Sequence, residues 1–136
     1  FDMVDYQAGI DDYNTTITID NNTKMRTSQE NIVFLDYESA LEDFNKAIEP
    51  DNTNAFLYFN RANTQTRMRN FSAAIDDYSK AVEYEPEMAE AYYNRGLTLI
   101  YMKDNNKGCY DLSKAGELGL VKAYNVIKRY CQKEVN

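Results

Sequence analysis

Two short patterns recur along this chain at one spacing, and that recurrence constrains the fold more than any other feature. The segments Tyr6–Tyr13, Tyr37–Phe44, Phe71–Tyr78 and a weaker Asn105–Leu112 superimpose, with starts separated by 31, 34 and 34 residues. A second pattern, Ala55–Ala62, returns at Ala89–Gly96, again 34 residues on. Two interleaved patterns at one period mark a structural unit repeated in tandem. Each unit reads as helix. From Phe71 onward, apolar residues fall at Ala74, Ile75, Tyr78, Ala81 and Val82, the three-and-four spacing of one helical face. Tyr58, Ala62 and Gln65 form a narrower stripe that Tyr92, Gly96 and Leu99 repeat. Small residues at Ala40, Ala62, Ala74, Gly96 and Gly108 let helices approach closely. A larger side chain four places after a small one (Tyr13, Phe44, Tyr78, Leu112) fills the space beside it. Breaker-rich stretches at Pro50–Asn54, Glu85–Glu87 and Lys103–Asn106 separate the helical runs. The spacing predicts helices over 37–49, 54–68, 71–84, 88–102, 106–117 and 120–133, with no strand.

Composition narrows the chemistry. The 136 residues are 43% hydrophobic and 27% charged, enough to bury a core, and no run of about 18 apolar residues is present to cross a membrane. Histidine is absent, which removes the commonest general base, the commonest metal ligand and every Ser–His or Cys–His nucleophile pair. Two cysteines without histidine partners do not make a four-ligand zinc site. The five glycines form no phosphate-cradling loop. The acidic pairs Asp11–Asp12, Glu42–Asp43 and Asp76–Asp77 recur at one place in the unit, as a solvated helix face does. Neither catalysis nor a cofactor is expected. The net charge of −7 argues against nucleic acid. It is unevenly spread: −9 over residues 1–54, −1 over 55–102 and +3 over 103–136.

At this point the chain resembles the tetratricopeptide repeat (TPR) family, a 34-residue helix–turn–helix with W-x2-L-G-x2-Y on one helix and A-x3-F then P on the next. Tyr58-x2-Arg61-Ala62-x2-Gln65 and Tyr92-x2-Arg95-Gly96-x2-Leu99 correspond to the first part. Ala74-x3-Tyr78 with Pro86 corresponds to the second, and Ala40-x3-Phe44 carries Asn52 at the proline place. The resemblance covers nearly all of residues 5–118. It implies an all-α fold: an α-solenoid, a right-handed superhelix of antiparallel helix pairs, with about three TPR units and a C-terminal closing helix. Residues 1–20 read as the second helix of an incomplete repeat and 21–54 as an irregular repeat. Residues 55–88 and 89–119 read as regular repeats, and 120–133 as the closing helix. The family's first helix of residues 21–54, near 24–35, lacks the aromatic–small stripe, so it is either truncated or short of natural residues.

The resemblance further implies a concave groove, lined by the first helix of each pair, that binds a peptide or partner protein. The groove positions carry over to Phe56, Phe59, Asn60, Asn63, Thr66 and Arg67 in one unit. In the next they are Glu90, Tyr93, Asn94, Leu97, Ile100 and Tyr101. Rings supply contact area, and asparagine amides both donate and accept. The leading reading is a non-catalytic interaction scaffold. An alternative is a receptor for chaperone tails that clamps a terminal carboxylate. Asn63 and Asn94 stand at two amide positions of that clamp, but Phe59 stands where its first lysine belongs. A self-assembling structural element is the third reading, from the opposed end charges and the apolar stripe of Ile10, Tyr13 and Ile17. Residues 1–19 are accordingly expected to meet another copy or an upstream repeat. Cys109 and Cys131 fall on adjacent turns when the last two helices pair about Gly119. They are either bridged, which implies a periplasm or cell surface, or two separate buried thiols. The runs Asp111–Gly119 and Lys128–Cys131 resemble bacterial sequences of the kind common in gut Bacteroidetes.

Overall fold

The computed structural model describes residues 28–131, with side chains from Asp36 onward. Six helices follow one another among these residues: α1 Ser28–Ile48, α2 Ala55–Arg67, α3 Phe71–Tyr84, α4 Ala89–Tyr101, α5 Asn105–Glu117 and α6 Lys122–Tyr130. No strand occurs among them. Each helix packs on the next, most closely within the pairs α2–α3 and α4–α5, and α2 also touches α4. This is a helical repeat solenoid, as the period requires.

The turns are as periodic as the helices. After α2, the Asn70 N–H donates to the Gln65 carbonyl at 2.8 Å and the Arg69 N–H to Thr66 at 3.0 Å. Thirty-four residues later Asp104 donates to Leu99 at 2.8 Å and Lys103 to Ile100 at 2.9 Å. Leu120 and Gly119 close α5 in the same way, each at 3.0 Å. In each case the residue past the helix end adopts positive φ: 65° at Arg69, 74° at Lys103 and 109° at Gly119. Those two bonds with one left-handed residue are the Schellman ending of a helix. At its other end, α2 starts on Asn54, whose side chain accepts from the Phe56 N–H at 3.0 Å.

Small residues set how near the paired helices come. Ala62 and Ala74 are fully buried between α2 and α3. One period on, a Cβ added to Gly96 would lie 2.9 Å from the Gly108 carbonyl oxygen, and one added to Gly108 would lie 2.8 Å from that of Gly96. The α4 and α5 backbones therefore touch, and only hydrogen fits between them. Tyr78 and Leu112, both fully buried, fill the space next to these contacts. At the far end the Tyr124 ring of α6 packs over Gly116 of α5, where a Cβ would come within 2.6 Å of it. Cys109 and Cys131 are joined by a disulfide with alpha carbons 5.9 Å apart, tying the start of α5 to the residue after α6 across 22 positions. By chain-entropy reasoning a loop of that size is worth about 3 kcal/mol.

Two boundaries depart from the sequence reading. The helix expected over 37–49 begins at Ser28 and runs unbroken for 21 residues. No glycine or proline interrupts Ser28–Ile48, so the two helices expected in the irregular repeat run together instead of turning. The closing helix starts at Lys122 instead of the expected 120, because Leu120 belongs to the α5 turn, and its expected end at 133 lies outside the described residues. The helix expected near the start, its apolar stripe and the self-association through residues 1–19 lie outside the described residues.

The turns yield a test with opposite signs at two sites. Nothing lies within 4 Å of a Cβ added at Gly119, so Gly119→Ala is strained by conformation alone and should lower stability by about 1–2 kcal/mol. Lys103→Gly relieves such strain and should raise it by roughly 0.5–1 kcal/mol after glycine's entropic cost. Urea unfolding reads both, and shifts of the same sign contradict the assignment.

Candidate partner-binding groove

The array is held in register by two arginines on its first helices. Arg61 of α2 grips Asp77 of α3 with both edges of its fork: Nε to Oδ2 at 2.7 Å and Nη2 to Oδ1 at 2.9 Å. Its remaining Nη1 reaches back to Asn45 Oδ1 of α1 at 2.8 Å. Arg95 of α4 repeats this one period later, with Nε and Nη2 at 2.7 and 2.9 Å from Asp111 of α5 and Nη1 at 3.0 Å from Ser79 Oγ of α3. Each guanidinium also lies over the ring three residues before it, 5.7 Å from Tyr58 and 5.6 Å from Tyr92. One side chain thus joins three consecutive helices.

Burial gives these contacts their weight. Asp77 and Asp111 are almost fully covered, and a buried carboxylate without a partner is costly. Burial pushes the Asp111 carboxyl above its ordinary value, while its hydrogen bond and charge contact with Arg95 pull it back. Both arginines are held above their ordinary value, chiefly by the hydrogen bond to the paired aspartate. The sequence reading placed Arg61 and Arg95 in the motif but gave them no role. The signal was present, since an arginine and an aspartate stand 16 residues apart in both repeats.

The groove candidates divide into two sets. Phe56 is 63% exposed, Asn60 is exposed, and Arg67, Glu90 and Tyr101 are half-buried. These share one side of α2 and α4. Phe59, Asn63, Tyr93, Asn94 and Leu97 are buried, as are Thr66 and Ile100. The expectation that the Phe59 and Tyr93 rings are open to a partner is corrected, because both fall on seams between elements. Phe59 packs against Tyr78 with ring centroids 6.0 Å apart, in one core with Met88 and Ala91. Tyr93 lies in the second core, with Lys122 Nζ 4.9 Å over its ring.

Asn63 and Asn94 are brought together. Asn94 Nδ2 donates to Asn63 Oδ1 at 3.0 Å, and the Tyr78 hydroxyl donates to the same oxygen. Among the described residues, Asn63 Nδ2 and Asn94 Oδ1 have no hydrogen-bond partner. The pair pins α2 beside α4 beneath the accessible stripe. At one end of that stripe the Tyr101 hydroxyl accepts from Arg69 Nη2, and its ring packs on Phe71 with centroids 4.9 Å apart.

Residues 55–88 match the family model of the tetratricopeptide repeat. That is one quarter of the chain, and it coincides with α2, α3 and their two turns. Among solved structures, the chain is similar to the first TPR of Spaghetti (RPAP3) bound to the HSP90 peptide SRMEEVD. The identity is 24% and the TM-score 0.68, covering 74% of this chain and 82% of that one. MamA is similar at 26% identity and TM-score 0.62, over 68% of this chain, which spans about half of MamA (53%). The TPR2B domain of yeast Sti1, in its complex with pHsp70, is similar at 24% identity and TM-score 0.61, over 74% and 81% of the two chains. These likenesses support the all-helical TPR fold and give no support to a Bacteroidetes origin. No curated protein matches the chain.

The ion pairs predict a pH-dependent loss. Without Arg95 the Asp111 carboxyl stands still further above its ordinary value. A carboxyl raised in the folded state lends stability that is complete below its unfolded value and lost as pH rises through the folded one. Arg95→Ala should therefore cost about 3–5 kcal/mol near neutral pH and regain part of it on acidification toward about pH 4. A deficit that stays flat across that interval in urea unfolding contradicts this account.

Proposed function

We propose that the chain is a non-catalytic scaffold that binds a peptide or partner protein along the face shared by α2 and α4. The observation that carries this reading is the pinning of the two first helices by the Asn63–Asn94 bond. It sets Phe56, Asn60 and Arg67 alongside Glu90 and Tyr101 as one accessible stripe with aromatic, amide and charged groups. Such a surface suits an extended peptide: the rings bury area, the Asn60 amide meets the backbone, and Arg67 and Glu90 select charge. Two of the similar structures are complexes, one with an HSP90 peptide and one with pHsp70, which supports the same use of the fold.

The carboxylate-clamp reading keeps one specific observation. Asn63 and Asn94 are adjacent, and Asn63 Nδ2 is an unused donor. Against it stand their complete burial and Phe59 in the lysine position. The scaffold reading is the better supported.

Selection of binding peptides from a random displayed library against the intact chain tests it. Peptides should be recovered whose affinity falls at least about tenfold in Phe56→Ala combined with Asn60→Ala, while far-ultraviolet dichroism and the thermal midpoint stay unchanged. Tyr93→Ala should instead unfold the array early, by about 3–5 kcal/mol, as a core ring does. Failure to recover any peptide, or peptides indifferent to Phe56, overturns the proposal. Loss of binding on amidating only the peptide's C-terminus would favour the clamp.

A further inference from the structure

A cleft of about 470 Å³ opens between α3 and α5. Its floor is Arg95 and Leu99 of α4. By helical geometry these residues project roughly opposite to Glu90, Leu97 and Tyr101, so the cleft lies on the far side of α4 from the groove described above. We propose that this cleft is a second docking site, for an extended peptide segment carrying an aliphatic or aromatic side chain beside an acidic one.

Three observations define that occupant. The first is the lining. Ile75 and Leu99 present apolar surface, and the Tyr110 ring at the rim is 67% exposed. That combination accepts an apolar side chain and stacks on it. The second is the state of Arg95. Two of its contacts go to Asp111 and one to Ser79, whereas a guanidinium carries five N–H donors. Two donors remain for a carbonyl or carboxylate oxygen of the occupant, next to the Ser79 hydroxyl.

The third is the charge. One period earlier the positions of Leu99, Lys107 and Tyr110 hold Gln65, Ala73 and Asp76. Counted over the lining positions alone, the earlier register carries Arg61, Asp76 and Asp77, net −1, and this one carries Arg95, Lys107 and Asp111, net +1, with the exposed Asp104 beside Lys107 outside the lining. In a chain of net charge −7, the repeat has turned basic and apolar at this one lining. Among the described residues Lys107 is held only by Asp104, at 3.9 Å with both side chains exposed. A surface pair of that kind is weak enough for an incoming carboxylate to displace. The array would then hold two protein segments at once, one on each side of α4.

The inference does not rest on the groove reading, and the experiment separates the two. The probe is a set of short peptides, acetylated and amidated at their ends, with one leucine or phenylalanine flanked by glutamates. A matched set has lysines in place of the glutamates. Backbone amide shifts of the full chain should move at Ile75, Ser79, Leu99, Lys107 and Tyr110 with the acidic set and not with the basic one. Lys107→Glu should weaken this binding about tenfold, and Tyr110→Ala should weaken it too. Both residues are exposed, so the variants should keep the parent's helical dichroism. Phe56→Ala should leave this binding unchanged. Shifts confined to the α2–α4 stripe, indifference to Lys107→Glu, or no shift at millimolar peptide would overturn the proposal.

Discussion

An arginine that serves three helices is the contact on which the rest of the array depends. Arg61 and Arg95 each span 16 residues in both directions, holding an aspartate of their own pair and a polar side chain of the preceding one. Hydrophobic burial is non-directional and would tolerate several rotations of one pair on the next. A planar fork bonded at two edges, with a third bond elsewhere, tolerates few. The arginines therefore fix the angle at which pairs stack, and that angle sets what the first helices present. The buried Asn63–Asn94 bond repeats this logic on the other side of α2 and α4.

Close packing supplies the distance that these bonds need. Where Gly96 meets Gly108 the backbones touch, and Ala62 and Ala74 play the same part in the preceding pair. Larger residues there would push the two helices of a pair apart, and the forks would lose both oxygens of their carboxylates at once. The Schellman turns at Arg69, Lys103 and Gly119 then bring each chain back antiparallel at short range. At the end of the array the disulfide and the Tyr124 ring hold α6 on α5.

Much of this is written in the sequence, for a physical reason. A repeated unit must repeat its packing, so period, helix faces, small-residue contacts and turns recur at 34 residues and reinforce one another. Four of the five helices expected after the first lie within about a residue of their expected ends. The first helix was misjudged because its signal is an absence: nothing in Ser28–Ile48 breaks the chain. Among groove candidates, Phe56 and Asn60 were legible as accessible. Phe59, Asn63, Tyr93 and Asn94 were not, because a position that faces the groove in one helix also borders the neighbouring helix. Which side wins depends on the stacking angle, a property no single helix pattern encodes. The arginine–aspartate pairs were visible as a recurring separation, but their role needs three helices in view.

The proposed function rests on the same stacking. A rigid row of first helices offers a continuous surface that no single pair could hold, and its composition, ring beside amide beside charge, suits a chain in extended form. If the arginines couple the pairs, the array should open as one body. Native-state amide hydrogen exchange on the full chain measures this directly. The account expects the slowest amides of α2, α3, α4 and α5 to share one opening free energy and one denaturant dependence. Two distinct values, with α2–α3 opening independently of α4–α5, would contradict it.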